Sequence, residues 1–106
     1  MTFTISQHTT GCTTGTPIDV DFICWGPFAS LTNACNTLTG SCVTSHSCSG
    51  NIEDCSYSIA ATETMTIVSP GPGNYYMIMI TNFANLNGFI NIVQNTGPPT
   101  GAVVLI

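Results

Sequence analysis

The chain contains no lysine and no arginine, and charged residues of either sign make up only 5% of its 106 positions. Its formal charge of −5 comes from Asp19, Asp21, Glu53, Asp54 and Glu63 alone. Binding to nucleic acid or to anionic lipid relies on cationic side chains that neutralise phosphate, so composition disfavours both partners. Salt bridges cannot organise the fold either. Long hydrophobic runs are also missing: the apolar stretch Tyr75 to Ile80 falls far short of the ~20 residues a membrane helix requires, so no membrane insertion is expected. Disorder is excluded in turn, because 43% of the residues are hydrophobic. A soluble fold so poor in charge hydrates its surface through Thr, Ser, Asn and Gly, and its copies repel one another weakly.

What the chain does have is six cysteines, all in its first half: Cys12, Cys24, Cys35, Cys42, Cys48 and Cys55. An even set fits an oxidising compartment, outside the cell or on its surface, with up to three disulfides. Proximity favours Cys42 with Cys48 across a short polar loop, leaving Cys12, Cys24, Cys35 and Cys55 for two further bridges of open connectivity. Met1 is followed directly by Thr-Phe-Thr-Ile, with neither a basic nor an apolar leader segment, so the expectation is a processed chain or one piece of a longer one. The length suits one domain over residues 1–106.

Period-two alternation marks the strands. Residues 2–7 place Phe3 and Ile5 on one face, and residues 18–25 place Ile18, Val20, Phe22 and Cys24 together, which sends Asp19 and Asp21 to the opposite face. Gly26-Pro27 ends that strand. Residues 28–57 then read as a long cysteine-rich connection held by staples, with a short helical turn between Pro27 and Cys35. Alternation resumes over residues 61–68, where Met65 and Ile67 oppose Thr64 and Thr66, and Ser69-Pro70-Gly71-Pro72-Gly73 makes a turn. Residues 74–82 are apolar on both faces, which predicts a central or covered strand. Asn85-Leu86-Asn87-Gly88 leads to a strand over residues 89–94, and these last two strands are expected to form an antiparallel hairpin. Residues 95–106 read as a linker and a continuing or exchanged strand, whose apolar end Val103, Val104, Leu105 and Ile106 is a candidate assembly element. Without amphipathic helices or a repeat period, the fold class is all-β, an antiparallel β-sandwich with a long disulfide-stapled loop.

The order Asp19-Val20-Asp21-Phe22, Glu63-Thr64-Met65-Thr66-Ile67, Gly73-Asn74-Tyr75-Tyr76-Met77 and Gly88-Phe89-Ile90-Asn91-Ile92 resembles the bacterial pre-peptidase C-terminal (PPC-like) domain family. The resemblance spans residues 2–94 in order and spacing. The wording Asp-Phe-Ile-Cys-Trp-Gly-Pro-Phe with Cys55-Ser56-Tyr57-Ser58 is similar to repeat modules of secreted surface proteins in gliding, type-IX-secreting bacteria. Such modules often carry a cysteine near the position of Met65 that pairs with one near Cys55, and this chain lacks it. The resemblance implies a jelly-roll-like sandwich without catalytic residues, serving as an adhesion or spacer unit beside neighbouring modules or copies of itself.

Four constellations remain as candidate chemistry. Asp19 and Asp21, with Glu63, offer carboxylate oxygens to Ca²⁺ as a cofactor, against the alternative of a hydrated strand face. Cys42, His46 and Cys48, with Cys35 or Cys55 as a fourth ligand, match no common zinc spacing, and disulfides account for the same cysteines. Trp25, Phe28, Tyr75 and Tyr76 could stack on a sugar ring of a surface glycan, although such residues are more often core. No nucleophile elbow or cationic pocket accompanies the cysteines and histidines, so no enzyme is expected. The alternative to an adhesion or spacer module is a structural subunit of a self-assembling extracellular filament or surface layer, and a third reading is a calcium- or carbohydrate-binding accessory module.

Overall fold

A computed structural model describes residues 1–98, so the candidate assembly element Val103 to Ile106 lies outside the described residues. Eight strands and one short helix follow in the order β1 (Thr2–His8), β2 (Asp21–Phe28), α1 (Leu31–Asn36), β3 (Cys42–Thr44), β4 (Ser47–Cys48), β5 (Ile52–Ser56), β6 (Thr62–Thr66), β7 (Tyr75–Thr81) and β8 (Phe89–Thr96). The chain is an antiparallel β-sandwich: one sheet has the order β6-β1-β8, the other β5-β2-β7, and β3-β4 form a small separate hairpin.

The alternation read along the chain sets which residues meet inside. Phe3 lies opposite Met65 across β1 and β6, and Ile5 lies opposite Ile92 across β1 and β8. From β2, Phe22 and Cys24 supply the facing layer. Together with Ile5, Val20, Met65 and Ile67 they form the buried core, against which Phe3, Tyr76, Ile78 and Ile80 pack. Fully burying side chains of this size stabilises by about 1.5–3 kcal/mol each, which has to carry a fold without lysine or arginine ion pairs.

Three sequence expectations are corrected. Gly26-Pro27 does not end the second strand: β2 begins at Asp21 and runs through a register shift to Phe28, which pairs with Tyr75. The segment 28–57 is not mainly loop. It holds α1, capped by the Ser30 hydroxyl accepting the Asn33 N–H at 3.3 Å, then the β3-β4 hairpin, then β5, which pairs with β2. Its alternation is hidden because β5 buries polar Asp54 and Ser56 beside Ile52 and Cys55.

The third correction concerns the last two strands. β7 and β8 do not pair with each other: β7 pairs with β2 and β8 with β1, so the connection between them crosses from one sheet to the other. Gly88 sits at the landing point, where an added Cβ would come within 2.9 Å of the His8 carbonyl oxygen and 2.8 Å of the Ile18 side chain. A bulkier residue would hold β8 away from the end of β1. Both β7 and β8 are therefore outer strands, and β7 is not the central strand that its apolar faces suggest.

Candidate functional site

The two sides of the sandwich are closed by different means. On one side β5 packs on β6, and two carboxylates cross between the sheets. Asp54, buried at 5% exposure, accepts the Thr66 N–H through Oδ2 at 2.6 Å, and Glu53 accepts the Val68 N–H at 2.6 Å. The Oδ1 atom of Asp54 also accepts the Cys55 N–H at 2.9 Å and meets His46 Nδ1 at 2.8 Å. His46 adopts a positive φ of 63° in the turn between β3 and β4, and its N–H donates to the Cys55 carbonyl at 2.7 Å. These bonds lay the β3-β4 hairpin on β5.

On the other side, among the described residues, nothing equivalent joins β7 to β8. Ile92 lies opposite Ile5 and so shares its inward face, yet Ile5 is fully buried while Ile92 is 43% exposed. Ile90, one pleat along on the same face, is 41% exposed. Phe89 and Val93 on the outer face are exposed as well, as are Tyr75 and Met79 on β7 and Phe83 and Leu86 in the crossing loop. The interior thus opens to solvent along two outer strands. From Thr64 to Ile106 the chain has no charged side chain, so this side lacks the charges with which natural outer strands discourage pairing.

The carboxylates singled out for calcium separate into different roles. Asp19 precedes β2 and Asp21 begins it, whereas Glu63 faces inward from β6, is 6% exposed and accepts a hydrogen bond from the Ser58 hydroxyl. Burial, then Asp19, then Glu63 hold the Asp21 carboxyl above its ordinary range, so the three are near enough to repel. One oxygen of Asp19 and one of Asp21 are buried without a partner from the chain. Among the described residues, however, no three His, Cys, Asp or Glu side chains converge as metal ligands. Asp21 also borders a shallow hollow of 160 Å³ on the outer face of its sheet, beside Ile23, Cys42, Tyr57, Met79 and Thr81.

The four aromatics do not make one platform. Phe28 is buried, Trp25 and Tyr76 are half-buried, and Tyr75 alone is exposed. The Tyr76 ring lies against Gly26, where a Cβ would fall 2.6 Å from it, so Tyr76 is a packing element of the β2–β7 contact.

Among the cysteines, the structure pairs Cys42 with Cys55, not with Cys48. Cys42 and Cys48 do stand opposite each other in the hairpin, but both side chains reach down to β5, where the Cys55 sulfur takes Cys42 and leaves Cys48 Sγ 3.0 Å away. Cys12 and Cys35 are exposed thiols. Cys24 is a fully buried thiol, pushed up to about 12 by burial first and then by Glu53, Asp54 and Cys48. One bridge therefore stands where up to three were expected. The missed feature in this region is Asp54: the run Ile52-Glu53-Asp54-Cys55-Ser56 does not alternate, so the sequence carries no signal that this carboxylate is buried.

Among the described residues no helix is long and apolar enough to cross a membrane. No family model, curated protein or solved structure matches this chain.

Proposed function

We propose that this chain is a non-catalytic module of an extracellular surface protein, serving adhesion or spacing by packing its open β7/β8 side against a neighbouring module of its own kind. The observation that carries the reading is the half-exposed state of Ile90 and Ile92 on the inward face of an uncharged outer strand that is paired with β1 on one edge only. Monomeric proteins seldom leave a contiguous apolar patch of this kind uncovered. A like module suits it because neither copy would bring a charge to the contact, and strand edges offer backbone N–H and C=O groups that a second edge can pair. The extracellular placement draws on the Cys42–Cys55 disulfide and on the resemblance to PPC-like modules.

A second reading, a subunit that assembles into a filament or surface layer, draws on the same side. The two differ in whether the copies are joined covalently. Sedimentation velocity of the unreduced chain over a wide concentration range tests the shared premise. The expected result is reversible, concentration-dependent association, weakened by Phe89→Lys with Val93→Lys on the outer face of β8. A monomer at every concentration, indistinguishable from the double variant, would overturn it. Closed dimers would favour the module, and open-ended growth the filament.

A further inference from the structure

We propose that Cys42, Cys48 and Cys55 form an intramolecular thiol–disulfide exchange site, in which Cys48 and Cys42 alternate as the partner of Cys55. The hairpin and β5 bring three sulfurs together: Cys55 is bonded to Cys42, and the Cys48 sulfur stands 3.0 Å from that of Cys55. Cys55 has no solvent exposure, so a thiol from solution cannot reach its sulfur, whereas Cys48 is already beside it. Holding the two reacting atoms together replaces a bimolecular encounter by a unimolecular step.

The step balances without an outside oxidant. The Cys48 thiolate attacks the Cys55 sulfur, the Cys48–Cys55 bond forms, the Cys42–Cys55 bond breaks, and Cys42 leaves as a thiolate that takes up the proton Cys48 gave to water. One disulfide and one thiol are present before and after. Either bond ties the hairpin to β5, and the backbone bond from His46 to Cys55 holds the two together during exchange. What changes is the position of the thiol. In the second state it sits at Cys42, which lines the open hollow on the outer face of the β2 sheet, where its thiolate can attack a small disulfide compound to form a mixed disulfide and release that compound's other half as a thiol.

The groups that face Cys48 set its rate. Burial, Asp54 and Glu53 all raise its thiol, the Cys24 thiol lies near, and His46 stands two residues before it on the turn. The attacking form is therefore scarce at neutral pH, and exchange speeds up about tenfold per pH unit as the thiolate fraction grows.

The test is thiol mapping on the folded, oxidised chain. The protein is held at pH 5 or pH 8.5, its thiols are alkylated, and tandem mass spectrometry after acidic proteolysis reads whether Cys42 or Cys48 carries the label. The expected result is label on Cys48 and Cys42 both, with the Cys42 share growing faster at pH 8.5. Cys42→Ser should retain a disulfide as Cys48–Cys55, and Cys48→Ser should keep Cys42–Cys55 and label neither partner. Label confined to Cys48 in wild type at both pH values would overturn the proposal. So would Cys42→Ser leaving Cys48 and Cys55 both alkylated after oxidation in a glutathione buffer, and the wild-type arm decides if that variant does not fold.

Discussion

The Asp54 carboxylate accepts the Thr66 backbone N–H at 2.6 Å, joining the outer strand of one sheet to the outer strand of the other. The same carboxylate accepts the Cys55 N–H and meets the His46 ring, so one buried side chain fixes three elements. Acidic residues that would otherwise hydrate a surface here substitute for the inter-sheet ion pairs that a chain without lysine and arginine cannot make.

Asp54→Ala should cost about 3 kcal/mol of unfolding free energy, because it leaves buried backbone N–H groups without an acceptor. Asp54→Asn should cost less, since its remaining carbonyl oxygen can keep one of the bonds. Urea unfolding of the oxidised proteins measures both, and equal stability of Asp54→Ala and wild type would remove Asp54 from this role.

Gly26 has a φ of 145°, and an added Cβ would meet the Tyr76 ring at 2.6 Å and the Tyr75 carbonyl oxygen at 3.1 Å. Gly26→Ala should therefore destabilise by about 2 kcal/mol, through both backbone strain and displacement of β7 from β2. A thermal unfolding curve unchanged from wild type would show that β7 accommodates the methyl group.

Burial holds the Cys24 thiol protonated up to about 12, against 9.0 for the free group. The unfolded chain thus gives up this proton at lower pH than the folded chain does. Stability from Cys24 is complete below pH 9 and is lost as pH rises through 9 to 12, at a limit of about 1.4 kcal/mol per pH unit. Cys24→Ala should flatten that part of the stability–pH curve while lowering the plateau through the cavity it leaves. In the native protein, Cys12 and Cys35 should react readily with a thiol reagent and Cys24 only on unfolding.

The sequence made the inward faces legible but not the strand partners. Phe3, Ile5, Phe22, Cys24, Met65 and Ile67 face the core as their alternation requires. Alternation says which way a side chain points and nothing about which neighbour lies beside it, so two apolar strands separated by a turn read as a hairpin. In the fold they pair with β1 and β2, because those central strands need partners and Gly88 lets β8 land beside His8. Of the candidate site residues, Asp21, Asp19 and Glu63 do lie close enough to interact, but Glu63 could share their face only if its strand paired with β2, and β6 instead pairs with β1, where Glu63 points inward to Ser58. The cysteine pairing failed for a related reason. Separation along the chain favours Cys42 with Cys48, whereas the hairpin's position on β5 brings a third sulfur to both.

The most direct test of the account is amide hydrogen exchange, followed at the lowest and highest attainable concentrations of the unreduced chain. If β7 and β8 form the contact between modules, protection should rise with concentration at residues 75–81 and 89–96 and stay constant at residues 52–56 and 62–66. Protection that does not change with concentration, or that rises along β5 and β6 instead, would contradict the claim that the open, uncharged side is where this protein meets its neighbour.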